Sequence, residues 1–188
     1  MKTTKKYREI ITGIDFSSQK NEREEYESCE FVNCSFTDVS NLNFVNCLFR
    51  NCNMSNMKVN NTKLQEITFV ECKLLGINFS RARDFAFEIH CKNCNLDYVS
   101  FDSKKMNRSS FENCKMHNIN FSQADLSKVQ FTECDFYESV FNNTNLSGVD
   151  FTRSRHFSID PTMNNVKKAR FLVQDLPGLL DKFDLIIE

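Results

Sequence analysis

Residues 114–153, cut every five positions, read CKMHN, INFSQ, ADLSK, VQFTE, CDFYE, SVFNN, TNLSG, VDFTR. The third residue of each group is large and apolar: Met116, Phe121, Leu126, Phe131, Phe136, Phe141, Leu146 and Phe151. The first is small or aliphatic: Cys114, Ile119, Ala124, Val129, Cys134, Ser139, Thr144 and Val149. The other three are mostly polar. A period of five suits neither an amphipathic helix, near 3.6, nor a two-faced strand, at 2. It suits a chain that turns a corner every five residues, with one large and one small side chain inward on each side.

The pattern runs outward in both directions. Towards the N-terminus it continues through Phe111, Met106, Phe101 and Leu96, with Ser109, Lys104, Val99 and Cys94 two residues before each. A shifted register carries Phe44, Phe49, Met54, Val59, Leu64, Phe69, Leu74 and Phe79, and Cys29/Phe31 and Cys34/Phe36 form a third. Four sides make a twenty-residue coil whose neighbours pair as parallel strands about 4.8 Å apart. With two residues missing between Phe36 and Phe44 and two extra between Phe79 and Cys94, the columns align. One reads Cys34, Cys52, Cys72, Cys94, Cys114, Cys134, Ser154; the preceding side reads Cys29, Cys47, Ile67, Ile89, Ser109, Val129, Val149, with Cys91 at a central position. All nine cysteines then point inward. Phe79, Phe101, Phe121 and Phe141 stack on one face; Phe31, Phe49, Phe69, Phe111, Phe131 and Phe151 stack on the opposite one.

The groups Ala124-Asp-Leu126-Ser-Lys, Cys134-Asp-Phe136-Tyr-Glu and Thr144-Asn-Leu146-Ser-Gly resemble the consensus of the pentapeptide-repeat proteins, and the resemblance spans about residues 14–156. It implies an all-β fold, a right-handed quadrilateral parallel β-helix of about seven coils. The expected organisation is an N-terminal extension (1–13), the β-helix (14–158) and a C-terminal cap or dimerisation segment (159–188). Two irregularities stand out. The stretch Ser80 to Cys91 carries the two-residue insertion and is expected to bulge. Lys104 stands at a small inward position, and the cost of burying an unpaired ammonium predicts that its side opens to let it reach water.

Composition narrows the classes. A net charge of −1 lacks the basic footprint of a nucleic-acid coat or a membrane-surface protein. No apolar run approaches the roughly 20 residues that span a bilayer, and the basic start Met1–Lys6 lacks the core of a signal peptide. The expected location is cytoplasmic. Nine Cys, an odd number, do not read as a disulfide framework.

After His156, which falls at a central inward position, the period stops. Asp160 to Lys168 reads as a loop, followed by a short helix from about Asp175 to Lys182 and an apolar end. Leu172, Leu176, Leu179, Leu180, Phe183, Leu185 and Ile187 either cover the last coil or form a homodimer interface. In this tail the chain resembles the Qnr-type quinolone-resistance proteins, a likeness that implies a head-to-head dimer.

Candidate chemistry is sparse. Cys91-Lys-Asn-Cys94, with His90 beside it, is spaced like a redox pair or half a zinc site, but no second pair completes it and both cysteines fall on inward positions. A soft metal in the cysteine column is opposed by burial, which keeps thiols protonated. No nucleophile–base pair and no phosphate loop appear, so no enzymatic activity, metal or cofactor is expected. The outer positions split mildly by charge. Asp97, Glu112, Glu133, Asp135, Glu138 and Asp150 form a candidate acidic ridge, and Lys104, Lys105, Arg108 and Lys128 lie opposite. Two functions remain open: a scaffolding repeat protein with an unidentified macromolecular partner, and, by the resemblance, an acidic duplex mimic that binds DNA gyrase and alters quinolone sensitivity. Near-neutrality favours the first.

Overall fold

The computed structural model describes residues 9–16 and 24–186. The expectations for Met1–Lys6 and for Ile187 lie outside these residues. Within them ten short strands wind round a parallel β-solenoid: β1 (Ile10–Thr12), β2 (Glu25–Glu27), β3 (Glu30–Val32), β4 (Asn43–Val45), β5 (Leu48–Arg50), β6 (Lys63–Gln65), β7 (Ile67–Val70), β8 (Ile89–Lys92), β9 (Ser110–Glu112) and β10 (Gln130–Thr132). One wall is the seven-stranded parallel sheet β1-β3-β5-β7-β8-β9-β10, and the wall before it contains β2-β4-β6. The other two walls are held by single parallel bridges, such as Asn95 with Lys115 and Ser100 with Asn120. The register follows the columns of the sequence: Phe31 lies beside Phe49, Phe49 beside Phe69, Phe69 beside Cys91, and Phe111 beside Phe131.

Rings stack where the columns place them. Phe31–Phe49 centroids are 4.7 Å apart and Phe49–Phe69 5.2 Å; on the opposite wall Phe79–Phe101, Phe101–Phe121 and Phe121–Phe141 lie 5.2, 5.6 and 5.2 Å apart. Edge-to-face contacts tie the walls together across the interior, as between Phe121 and Phe131. Beside the two-residue deletion a void of ≈ 10 Å³ lined by Phe36, Val39 and Phe49 remains, at the lower limit for one water.

The corners explain the scarcity of glycine. Among the described residues, twenty-two non-glycine residues have positive φ, and ten of them are Asn, which tolerates the left-handed region better than other side-chain-bearing residues. Three pairs of these asparagines bond between coils: Asn51 Nδ2 donates to Asn33 Oδ1 at 2.6 Å, Asn61 to Asn41 at 3.0 Å and Asn113 to Asn93 at 2.9 Å. Gly76 also leaves room for a neighbour: a Cβ there would lie 2.2 Å from Asn56 Oδ1, whose side chain would have to swing aside.

Five expectations need correction. The period does not stop at His156. Asn165 bridges Asn145, Arg170 bridges Asp150, and Phe171 stacks on Phe151 at 5.3 Å, so the segment read as a loop continues the wall. Its signal is hidden because Asn164 takes the small inward position, donating through Nδ2 to the Phe141 and Asp160 carbonyls at 2.9 Å. His156 is not inward: its φ is 58°, its side chain is 56% exposed, and Phe157 enters the core in its place. Lys104 does not reach water. It is 1% exposed, and its Nζ donates to the Ala82 carbonyl at 2.5 Å and to Asp84 Oδ1 at 2.6 Å. Asp84 belongs to the bulge, so the insertion and the buried lysine form a single device. At the other end, Ile10–Thr12 pairs with β3, so the stacked wall already includes residues before 14. In the tail, two 3-10 segments, Val173–Leu179 and Asp181–Phe183, occupy the place of the expected helix.

Candidate interaction surfaces

The small inward column has its own chemistry. Each cysteine from Cys34 to Cys134 in this column points Sγ at a main-chain carbonyl of the preceding coil: Cys34 at Ile11, Cys52 at Phe31, Cys72 at Phe49, Cys94 at Phe69, Cys114 at Cys91 and Cys134 at Phe111, all at 3.4–3.5 Å. Thr62, Ser139 and Thr144 do the same with hydroxyls, to Val39, Met116 and Phe121. A side chain that is small and carries a donor is therefore suited to this position. All nine cysteines are buried with free thiols, including both members of Cys91-Lys-Asn-Cys94. Burial pushes the Cys47 thiol up to about 11 and the Cys91 thiol well above its ordinary value, which holds both in the unreactive protonated form. Among the described residues no cluster of three or more His, Cys, Asp or Glu side chains is placed to hold a metal. His90 bonds Ser110 at 2.9 Å and lies 3.3 Å from Glu88.

The acidic positions are spread along the walls, and five of the six meet a cation, four of them on the next coil. Asp97, 5% exposed, accepts from Lys115 at 2.6 Å and from the His117 amide at 3.1 Å. Glu112 pairs with Lys92 on the coil before it, Glu133 with Arg153, and Asp150 with Arg170. Asp135 is the most heavily used: Arg155 Nε donates to Oδ2 at 3.0 Å, and His156 Nδ1 lies 2.9 Å from Oδ1. His117 Nε2 is 3.3 Å from the same oxygen but is turned so that no hydrogen bond forms. Burial alone would raise the Asp135 carboxyl; the His156 bond, the Tyr137 amide and the Arg155 charge outweigh it and hold the group below its ordinary value. Glu138 stands exposed at a left-handed corner. Five of the six ridge positions are thus engaged in ion pairs between coils, the solenoid counterpart of pairing along a helix face.

The tail residues divide. Leu172, Leu176, Phe183 and Leu185 are 40, 41, 48 and 57% exposed. Leu179 packs on the core, and Leu180 is half-buried. Val173 and Ile186, at 84 and 91%, extend the exposed apolar set beyond the residues singled out from sequence. Their signal was their place within the same apolar tail. The segment is anchored by Gly178, whose carbonyl accepts from the Ile159 amide at 2.8 Å and whose missing Cβ leaves room for the Phe157 carbonyl. Lys182 Nζ closes it onto Asp160 at 2.7 Å.

The bulge presents a residue that periodicity had not marked. Phe85 is 83% exposed at its tip, while Phe87 turns inward to meet Phe79 edge-on at 6.0 Å. Of the basic positions opposite the acidic ones, Lys105, Arg108 and Lys128 are exposed and Lys104 is buried.

Comparison with known proteins agrees with this architecture. A family model described as pentapeptide repeat region matches residues 86–158, and one described as pentapeptide repeats (8 copies) matches residues 28–65. No curated protein matches the chain in sequence. Among solved structures, a trypsin-treated form of QnrB1, a plasmid-mediated fluoroquinolone resistance protein, is similar in fold at 17% identity and a TM-score of 0.51, over 96% of this chain and 98% of that one. HetL, a pentapeptide repeat protein involved in heterocyst differentiation regulation from the cyanobacterium Nostoc sp. strain PCC 7120, matches at 12% identity and a TM-score of 0.42, over 86% of this chain and 82% of that one. With its five-residue period, stacked parallel walls and two matching repeat models, the chain belongs to the pentapeptide-repeat family.

Proposed function

We propose that the chain is a non-enzymatic scaffolding rod that binds a protein partner through its outer walls and forms a homodimer through its C-terminal tail. The observation that carries the first part is the pairing of surface charge between coils. Asp97, Glu112, Glu133, Asp135 and Asp150 each face a cation, so the walls offer paired charge and local contact chemistry instead of a long-range acidic field. The observation behind the dimer is the exposed set Leu172, Val173, Leu176, Phe183, Leu185 and Ile186, crowded into one short segment. Clustered exposed apolar residues mark an interaction site in a protein that stays in solution. Light scattering tests it. Wild type should have twice the chain mass, and Leu172→Asp with Leu176→Asp should have the single-chain mass. A monomeric wild type, or a variant that stays dimeric, removes the dimer.

A second reading, binding to DNA gyrase with an effect on quinolone sensitivity, is favoured by the near full-length likeness in fold to QnrB1. It needs a duplex-like run of uncompensated acids, which the paired walls do not supply. A gyrase supercoiling assay with added quinolone separates the two. Scaffolding predicts neither rescue nor inhibition with the protein in excess; rescue would transfer the conclusion to the second reading.

A further inference from the structure

The bulge is built to hold one aromatic side chain in water. Its base is tied at several points: the Arg83 amide donates to the Thr62 carbonyl at 2.9 Å, and the Glu88 amide to Leu64 at 3.1 Å. Arg83 adds side-chain bonds from Nε to Asn61 at 2.9 Å and from Nη1 to Asn43 at 3.2 Å. From below, the buried Lys104 grips Asp84 and the Ala82 carbonyl, with its Nζ 5.1 Å from the centre of the Phe87 ring. What remains free is Phe85 and Ala86. Ala86 sits at φ 57°, the left-handed conformation of the other corners. A short insertion that puts a lysine at a small inward position does not improve the packing of this wall. Its product is Phe85, fixed and exposed.

Three cations lie on the bulge and on the coil after it. Arg81 is exposed where the bulge begins, Lys105 follows Lys104 on the next coil, and the exposed Arg108 lies 3.8 Å from Glu88. Of the nearby acids, Asp84 is engaged by Lys104 and Glu88 by Arg108 and His90, while Glu66 on the coil before stands exposed. We propose that this bulge is a protein-docking knob: Phe85 fills an apolar pocket on a partner whose pocket rim carries carboxylates that meet Arg81, Lys105 and Arg108. A rigid aromatic among arginines matches the make-up of interface hot spots, and pre-ordering by Lys104 and Arg83 lowers the entropy lost on docking. A single-stranded nucleic acid would need further aromatic platforms beside Phe85. A bilayer surface would need more than one inserted apolar group. Among the described residues neither is present at this corner, since Tyr98 and Tyr137 lie on another one. The inference rests on the scaffolding reading and names its surface and partner chemistry.

The test uses the full chain in its own cells, with p-benzoyl-phenylalanine in place of Phe85 or, as controls, of Tyr98 or Tyr137. On irradiation, position 85 should give a protein adduct that the controls do not. The captured protein, purified, should bind wild type with an affinity that falls at high salt, and should bind Phe85→Ala and the Arg81→Glu, Lys105→Glu double variant roughly tenfold or more weakly. Melting temperatures of the variants should match wild type, because these side chains are outside the core. An adduct at the controls but not at 85 overturns the knob and leaves the scaffold standing. No protein adduct at any position overturns both. Adducts of position 85 with lipid or nucleic acid alone, or equal affinity for Phe85→Ala, also overturn the proposal.

Discussion

Cys114, Ser139 and Thr144 do the same work: each fills a small inward space and offers a donor to a carbonyl of the coil before. The position selects size first and polarity second, and this leads to an ordering. Cys114→Ser keeps both and should cost about 1 kcal/mol or less, whereas Cys114→Leu overpacks the column and should cost about 1–3 kcal/mol. Chemical denaturation of the two variants checks it; a serine variant less stable than the leucine one would contradict it. The corner column Asn33, Asn51, Glu71, Asn93, Asn113 holds two asparagine pairs separated by Glu71, whose φ is 56°. Glu71→Asn should relieve the left-handed strain and join the pairs, raising stability by about 1 kcal/mol in the same measurement. The inward fate of every cysteine was readable from spacing alone. Their donor role was not, because a period reports direction and says nothing of the acceptor across the coil.

At the scale of elements, the places where sequence reading failed are those where one residue stands in for another of different appearance. Lys104 breaks the apolar column, yet it is buried because its partner comes from the inserted segment of the preceding coil, a pairing that local pattern does not reveal. Asn164 and Phe171 continue the walls past the point where the repeat looked finished, because an amide replaces the small residue and Phe157 displaces His156. The bulge argument predicts that Asp84→Ala, which strips the buried ammonium of its counter-charge, costs about 1–3 kcal/mol. Lys104→Met, which removes the charge itself, should cost less; thermal melts of both variants decide the order. The tail carries a pH dependence. Burial tends to raise the Asp160 carboxyl, but Lys182 and Thr162 together lower it to about 2 from the ordinary 3.8. A lowered carboxyl contributes stability present above its unfolded value and lost as pH falls through its folded value. Protection of the tail amides from hydrogen exchange should therefore fade between about pH 4 and pH 2, and Lys182→Met should abolish that step.

For the whole molecule, the rod is one continuous core, so damage at its middle is felt throughout. Phe121 stacks between Phe101 and Phe141 and is fully buried. Phe121→Ala should cost about 3–5 kcal/mol, with circular dichroism showing the loss along the whole β signal. The same regularity explains the surface. Because residues twenty apart lie side by side, acid and base placed one coil apart cancel, and composition alone had allowed only the statement that the total was near zero. The architecture was legible almost entirely from the five-residue period; the interaction surfaces were legible only where they were apolar and contiguous, as in the tail. The most direct test of the interior is a count of thiols reactive towards a water-soluble disulfide reagent. In the folded protein none of the nine should react, and all nine should become reactive together when denaturant unfolds the chain. Prompt reaction of Cys72 or Cys114 while the β signal is intact would contradict the account.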